Sequence, residues 1–227
     1  MLSSFLDPRR FKFKKLRLLL AWLGGILLIL NTHINDESFR LGIPFILLGE
    51  LIRILSSGYL ERKGKKLATS GPFAFVRNPL YIGNFILGLG VVLVSNNLFN
   101  FVLFIIGFSI LYFGTVKKEE GVLSTEFGAD YADYIREVPR FFPRFTPYSK
   151  TSRDPFQWKS VIKHREYITV AGIVIVIAGF YIFEELREGE RIEHLWKMQT
   201  AGGFIIAAVI FLVCEWIRKE IQKKETR

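Results

Sequence analysis

The chain reads as an all-α membrane protein, a bundle of about six transmembrane helices carrying a short helical segment on its cytoplasmic side. Three observations predict this. Half of the 227 residues are hydrophobic and mean hydropathy is positive, yet 23% are charged, so long uncharged runs must alternate with densely charged ones. Six runs approach the ~20 apolar residues needed to cross ~30 Å of hydrocarbon at 1.5 Å per residue. Basic residues also gather in alternate connections, as a polytopic topology requires. The apolar content excludes a disordered chain, and no period of ~20–50 residues suggests a repeat array. A single cysteine, Cys214, excludes an internal disulfide framework and a cysteine-based zinc site. His33, His164 and His194 are too scattered for a ligand set, so no metal is expected.

The expected spans cover residues 16–34, 41–57, 80–95, 98–116, 167–183 and 200–217. The third is short and rich in glycine. No cleavable signal peptide is expected, because the basic start leads into a first span without a small-residue cleavage site. Between spans, the N-terminal arm (Arg9 to Arg17), the second connection (Arg62 to Arg77), the fourth (Lys117 to Arg165) and the tail (Arg218 to Arg227) hold most of the 31 basic residues. The opposite connections are acidic or neutral: Asp36 and Glu37, then Asn96 and Asn97, then Glu184 to Glu193. Both termini are therefore expected in the cytoplasm. The net charge of +10 is accounted for by topology and attraction to anionic lipid headgroups, without nucleic acid.

Polar chemistry concentrates beside the third and fourth spans. Residues 117–165 form the largest stretch outside the membrane. Glu119 to Phe127 continues the fourth span into water, Gly128 is a plausible C-cap, and a second short helix follows from Ala129 to about Val138. Its Tyr131, Tyr134, Ile135 and Val138 share one face, and Pro139 ends it. Arg140 to Phe145 alternate cation and ring, as in a headgroup-level anchor, which is the default for Phe141, Phe142 and Phe145. Glu119 and Glu120 are harder to explain. They sit at a helix end and a membrane surface that both disfavour carboxylates, and a carboxylate held there suits a hydroxyl-rich or cationic ligand.

On the third span, Pro79 suits a first helical turn, so the helix N-terminus beside Arg77 forms a site for a carboxylate or phosphate. With the carboxylates ending the fourth span, it would suit a zwitterionic soluble ligand. Gly83, Gly88 and Gly90 in the same span most often mean close helix packing. Glu50 and Arg53, three apart in the second span, are costly in hydrocarbon and are expected to pair on one face.

At these residues the sequence resembles the isoprenylcysteine carboxyl methyltransferase and phospholipid N-methyltransferase family of integral membrane enzymes. The matching pieces are GPFAFVRNPLYIGN (71–84), the GLG of 88–90 and EEGVLSTEFGADYADYIREVPRFFP (119–143), about a third of the chain in the family's order and spacing. The resemblance implies S-adenosylmethionine as methyl donor, bound from the cytoplasm. It implies cofactor contacts from Arg77, Asn78, Pro79, Tyr81, Gly83, Gly88, Gly90, Glu119, Glu120 and Tyr131. Arg77, Glu120 and Tyr134 are the candidate catalytic residues. Many relatives carry His where this chain has Asn78, which leaves more of the task of holding the donor's carboxylate to Arg77. A three-part organisation follows: residues 1–70 with two spans, 71–148 as the methyltransferase core, and 149–227 with two further spans.

The expected acceptor is a membrane-embedded lipid or prenylated carboxylate or amine, since a sulfonium needs chiefly alignment with its nucleophile and exclusion of water. An amine would have to lose a proton, to Glu119, Glu120, Tyr131 or Tyr134. Two alternatives stand beside this reading: an NADPH-dependent membrane reductase of the sterol-reductase type, and a non-catalytic transporter or scaffold. The sequence does not name the acceptor or the oligomeric state.

Overall fold

A computed structural model describes residues 24, 25, 27–60, 66–188, 202, 203, 205–211, 213 and 215, the side chains of 183–188 excepted. Among them all regular structure is helical: α1 (Asp36–Ser57), a 3-10 turn (Gly71–Ala74), α2 (Pro79–Val94), α3 (Leu98–Glu137), α4 (Trp158–His164) and α5 (Glu166–Glu188). Helix α3 is long and apolar enough to cross a bilayer, and α4 and α5 pass the same test as a pair bent by 60°. Helix α2 is apolar but has 16 residues. The expected spans 16–34 and 200–217 lie partly outside the described residues.

Helix α1 starts earlier than its hydropathy suggested, and the cause is a reciprocal cap. The Ser38 N–H donates to Asn35 Oδ1 at 2.8 Å, while the Asn35 N–H donates to Ser38 Oγ at 3.1 Å. Asp36 and Glu37, expected in a connection, therefore occupy the first helical turn, where the macrodipole favours them.

Helices α1 and α2 touch backbone to backbone. A Cβ on Gly90 would lie 2.6 Å from Ile46 N and 2.7 Å from Gly42 O, and one on Gly83 would lie 2.8 Å from Gly49 O. Small residues at this seam let two helices approach without a hydrophobic driving force between them. The seam between α2 and α3 is filled by rings instead: Phe85 stacks on Phe104 at 5.7 Å and meets Phe108 at 5.2 Å. A Cβ on Gly88 would press on the Phe104 ring at 2.4 Å.

The expected break at Gly128 is present. Its φ of 50° and ψ of −116° interrupt α3 and start a short helix ending at Glu137. Tyr131 and Tyr134 of that helix, and Val138 at its C-cap, are buried with Ala74 and Tyr148. Ile135 departs from expectation: it is 42% exposed, because the core covers the tyrosine side alone. The chain then folds back along 69–77. The Arg77 N–H donates to Pro139 O at 2.9 Å, Arg144 N–H to Phe75 O at 3.0 Å and Tyr148 N–H to Ala74 O at 2.8 Å. These bonds satisfy two irregular strips of backbone against each other.

Glu50 and Arg53 do pair, with Arg53 Nε 3.4 Å from Glu50 Oε2. Arg53 also reaches further than the sequence suggested, donating to Asn84 of α2, to Glu166 at 2.7 Å and to Thr169 at 3.1 Å. One guanidinium thus ties three helices, which suits its planar fork of donors.

Candidate active site at the polar end of the second and third helices

The site is built where the loop 69–78, the end of the apolar part of α3 and the segment after Gly128 converge. Glu120 is its centre. Arg77 Nη1 lies 3.1 Å from Glu120 Oε1. Arg140 Nε donates to the same oxygen at 3.0 Å, and Arg140 Nη2 donates to Oε2. Side-on contact through two nitrogens gives the Arg140–Glu120 pair directional strength that a point charge lacks. The side chains of Arg77 and Glu120 are 14% and 13% exposed, so removing Glu120 would leave the Arg77 charge with little water around it.

Each partner is placed by local structure. Arg77 is held through its own backbone bond to Pro139, and Arg140 follows that proline directly. Pro79 begins α2 with Asn78 as its N-cap, but the Asn78 side chain makes no capping bond. Its Nδ2 is buried and makes no hydrogen bond to any described residue, and the same holds for Arg77 Nε. Two adjacent residues therefore present donors with no acceptor. Buried donors of this kind are rare enough to require a cause.

Tyr81, one turn into α2, donates its hydroxyl to Glu119 Oε1 at 2.8 Å. Its ring meets Tyr112 edge-on at 4.9 Å, and Tyr112 in turn touches Phe141 at 4.9 Å. Glu119 is exposed while Glu120 is largely enclosed, so the adjacent acids differ in setting. The Tyr131 phenol is pushed above its ordinary value first by burial and then by the Glu120 charge. Burial likewise pushes the Tyr134 phenol up. Tyr134 donates to Phe73 O at 2.7 Å inside the core of the folded-back segment. A buried phenol already committed to a carbonyl latches structure.

The structure thus brings Arg77, Asn78, Tyr81, Glu119, Glu120 and Tyr131 to one end of the helix pair. It places Gly83 and Gly90 against α1 and Gly88 against Phe104, each at a helix contact. Two neighbours of the site were missed in the sequence. Arg140 was read as part of a headgroup-level alternation, a pattern that Phe142 and Phe145 do fit at 85% and 103% exposure. Tyr112 lay unnoticed inside an apolar run. Its signal is weak: a hydroxyl seven residues before Glu119, hence on the same side of α3. Among the described residues no group of His, Cys, Asp or Glu could hold a metal ion.

Comparison with known proteins agrees with the motifs. The family model described as phospholipid methyltransferase matches residues 19–130. The cobalt-zinc-cadmium resistance protein CzcN of Cupriavidus metallidurans is 27% identical over 68% of this chain and 72% of its own length. The nickel-cobalt-cadmium resistance protein NccN of Alcaligenes xylosoxydans is 30% identical over 54% of this chain and 57% of its own length. The protein-S-isoprenylcysteine O-methyltransferase of Schizosaccharomyces pombe is 33% identical over 37% of this chain and 35% of its own length. No solved structure matches. Over residues 19–130 the chain is similar to the phospholipid methyltransferase family, and over 37% of its length to an isoprenylcysteine methyltransferase, in agreement with the motifs.

Proposed function

We propose that the protein transfers a methyl group from S-adenosylmethionine to a lipid-borne or prenylated acceptor at the cytoplasmic surface of a membrane. The observation that carries this is the junction of Arg77, Asn78 and Glu120 at the end of a helix pair that lies within the methyltransferase match. The residues fit the donor. The unused Arg77 Nε and Asn78 Nδ2 are two neighbouring N–H groups in want of an anionic acceptor, as a carboxylate supplies. Glu119, exposed and already accepting from Tyr81, suits hydroxyl groups or an ammonium.

When bound, the donor supplies a methyl group activated by its sulfonium. Arg77 and Asn78 would hold the donor's carboxylate, and Glu119 its hydroxyl or ammonium groups. This chain's contribution is to bind, orient and exclude water. Glu120 fixes Arg77 and Arg140 in place. Tyr131 keeps its proton, because burial opposes the phenolate. The core is proposed to span 71–148 within a six-span bundle whose two termini face the cytoplasm.

Binding of S-adenosylhomocysteine to purified protein, followed by calorimetry, tests the reading. The unaltered protein binds, and Glu120→Gln weakens binding at least tenfold, because Arg77 and Arg140 lose their shared counter-ion. Equal binding by the variant, or none by either protein, would refute it. Oxidation of NADPH in place of methyl transfer would favour the reductase alternative.

A further inference from the structure

Helix α3 is mostly open to the surroundings over its apolar part, yet Tyr112 is an exception, 6% exposed. Its ring is held from three directions. Phe108 stacks on it at 5.3 Å and 17°, Tyr81 meets it edge-on at 4.9 Å, and Phe141 lies tilted at 4.9 Å. A ring fixed on that many sides fixes its hydroxyl. That hydroxyl is buried and makes no hydrogen bond to any described residue. A buried tyrosine ordinarily finds a partner, since an unsatisfied hydroxyl costs stability that a phenylalanine would recover.

The depth of Tyr112 indicates what the missing partner is. It lies seven residues before Glu119 on α3, about 10 Å further along the helix axis toward the apolar part. Its ring touches Tyr81, whose hydroxyl bonds Glu119, and Phe141, which follows Arg140 in the chain. On its other side, Phe108, Phe104 and Phe85 line the ring-filled seam between α2 and α3. The hydroxyl therefore lies between the charged cluster around Glu120 and the ring-lined seam.

We propose that Tyr112 is a positioning residue for the methyl acceptor. Its phenol hydrogen-bonds the polar head group of a molecule whose hydrocarbon part lies along the Phe108, Phe104 and Phe85 seam. The phenol donates to a carboxylate head or accepts from an amine. This rests on the donor reading above, and one side chain tests it separately. Tyr112→Phe preserves the ring contacts and deletes the oxygen alone. In a purely structural role the change removes an unsatisfied buried group, leaving the protein as stable or more so, with unaltered activity.

The variant and the unaltered protein are compared in three measurements: thermal midpoint, S-adenosylhomocysteine affinity, and transfer of isotopic label from S-adenosylmethionine. Transfer is offered to phosphatidylethanolamine vesicles and, separately, to N-acetyl-S-farnesylcysteine in phosphatidylcholine vesicles. The proposal expects an undiminished midpoint and donor affinity within twofold. It expects kcat/KM for whichever acceptor is used to fall about tenfold, the worth of one well-placed hydrogen bond. Unchanged transfer by the variant would overturn the Tyr112 proposal and leave the donor reading intact. Loss of donor affinity would overturn it too, by assigning the hydroxyl to the donor. Absence of donor binding or of any transfer by the unaltered protein would overturn both.

Discussion

Tyr134 and Tyr131 show how two phenols one turn apart take different parts. Both rings are buried, with centroids 6.2 Å apart. Tyr134 spends its proton on the Phe73 carbonyl, whereas burial and then the Glu120 charge hold the Tyr131 phenol above its ordinary value. Tyr134→Phe therefore strands a buried carbonyl and destabilises the fold by about 1–2 kcal/mol, with donor affinity unchanged within twofold. Parallel denaturation and S-adenosylhomocysteine titration check this. A large loss of affinity with unchanged stability would return Tyr134 to the catalytic group. The same scale explains what was legible beforehand. Glu119 and Glu120 stood out because carboxylates are unfavourable at a helix end beside lipid. Arg140 did not, because an arginine beside phenylalanines fits a headgroup anchor equally well until its partner is known.

At the scale of elements, the two sides of α2 are built on opposite principles. Toward α1 its glycines admit backbone contact, and toward α3 its neighbours are rings that can shift. Gly90→Ala tests the first. The added methyl meets Ile46 N and Gly42 O, backbone atoms with no freedom to yield, so the helices must separate at a cost of about 1–3 kcal/mol. Gly107→Ala, with nothing within 4 Å of the new methyl, is the control and is neutral or slightly stabilising. Thermal melting in detergent compares them, and equal midpoints would show that the α1–α2 contact is not tight. The sequence marked these glycines as unusual without showing which neighbour each one met. Helical spacing assigns a residue to a face, and the packing partner belongs to another part of the chain.

At the scale of the whole molecule, the segment 133–154 is held by exposed ion pairs and hydrogen bonds, two within itself and one to Lys66. Lys150 donates to Asp133 at 2.6 Å, Ser149 to Glu137 at 2.6 Å and Lys66 to Asp154 at 2.9 Å. These contacts hold all three carboxyls below their ordinary values: Asp133 through Lys150, Glu137 through Ser149, and Asp154 through Ser152 and then Lys66. A depressed folded value means the stabilisation is fully present above the ordinary carboxyl values of 3.8 and 4.5 and is lost as pH falls through the lower folded ones. Limited proteolysis within 137–154 should accordingly rise below about pH 4 while α1 and α2 stay protected. Acid-tolerant protease activity compared at pH 3 and pH 7 checks it, after correction on an unfolded substrate. Equal rates would show that apolar contacts around Tyr134 and Tyr148 suffice.

The sequence by itself determined the helical class, the break at Gly128, the pairing of Glu50 with Arg53 and the gathering of polar chemistry beside α2 and α3. Each of these depends on hydropathy, capping or spacing within a few residues, and such short-range energetics are written locally. The convergence of Arg77, Glu120 and Arg140, the Arg53 tie to Glu166 and the burial of Tyr112 were decided by the tertiary structure. Those contacts join side chains from different helices and loops. Their strength depends on the removal of water by packing, and no stretch of sequence encodes that removal alone.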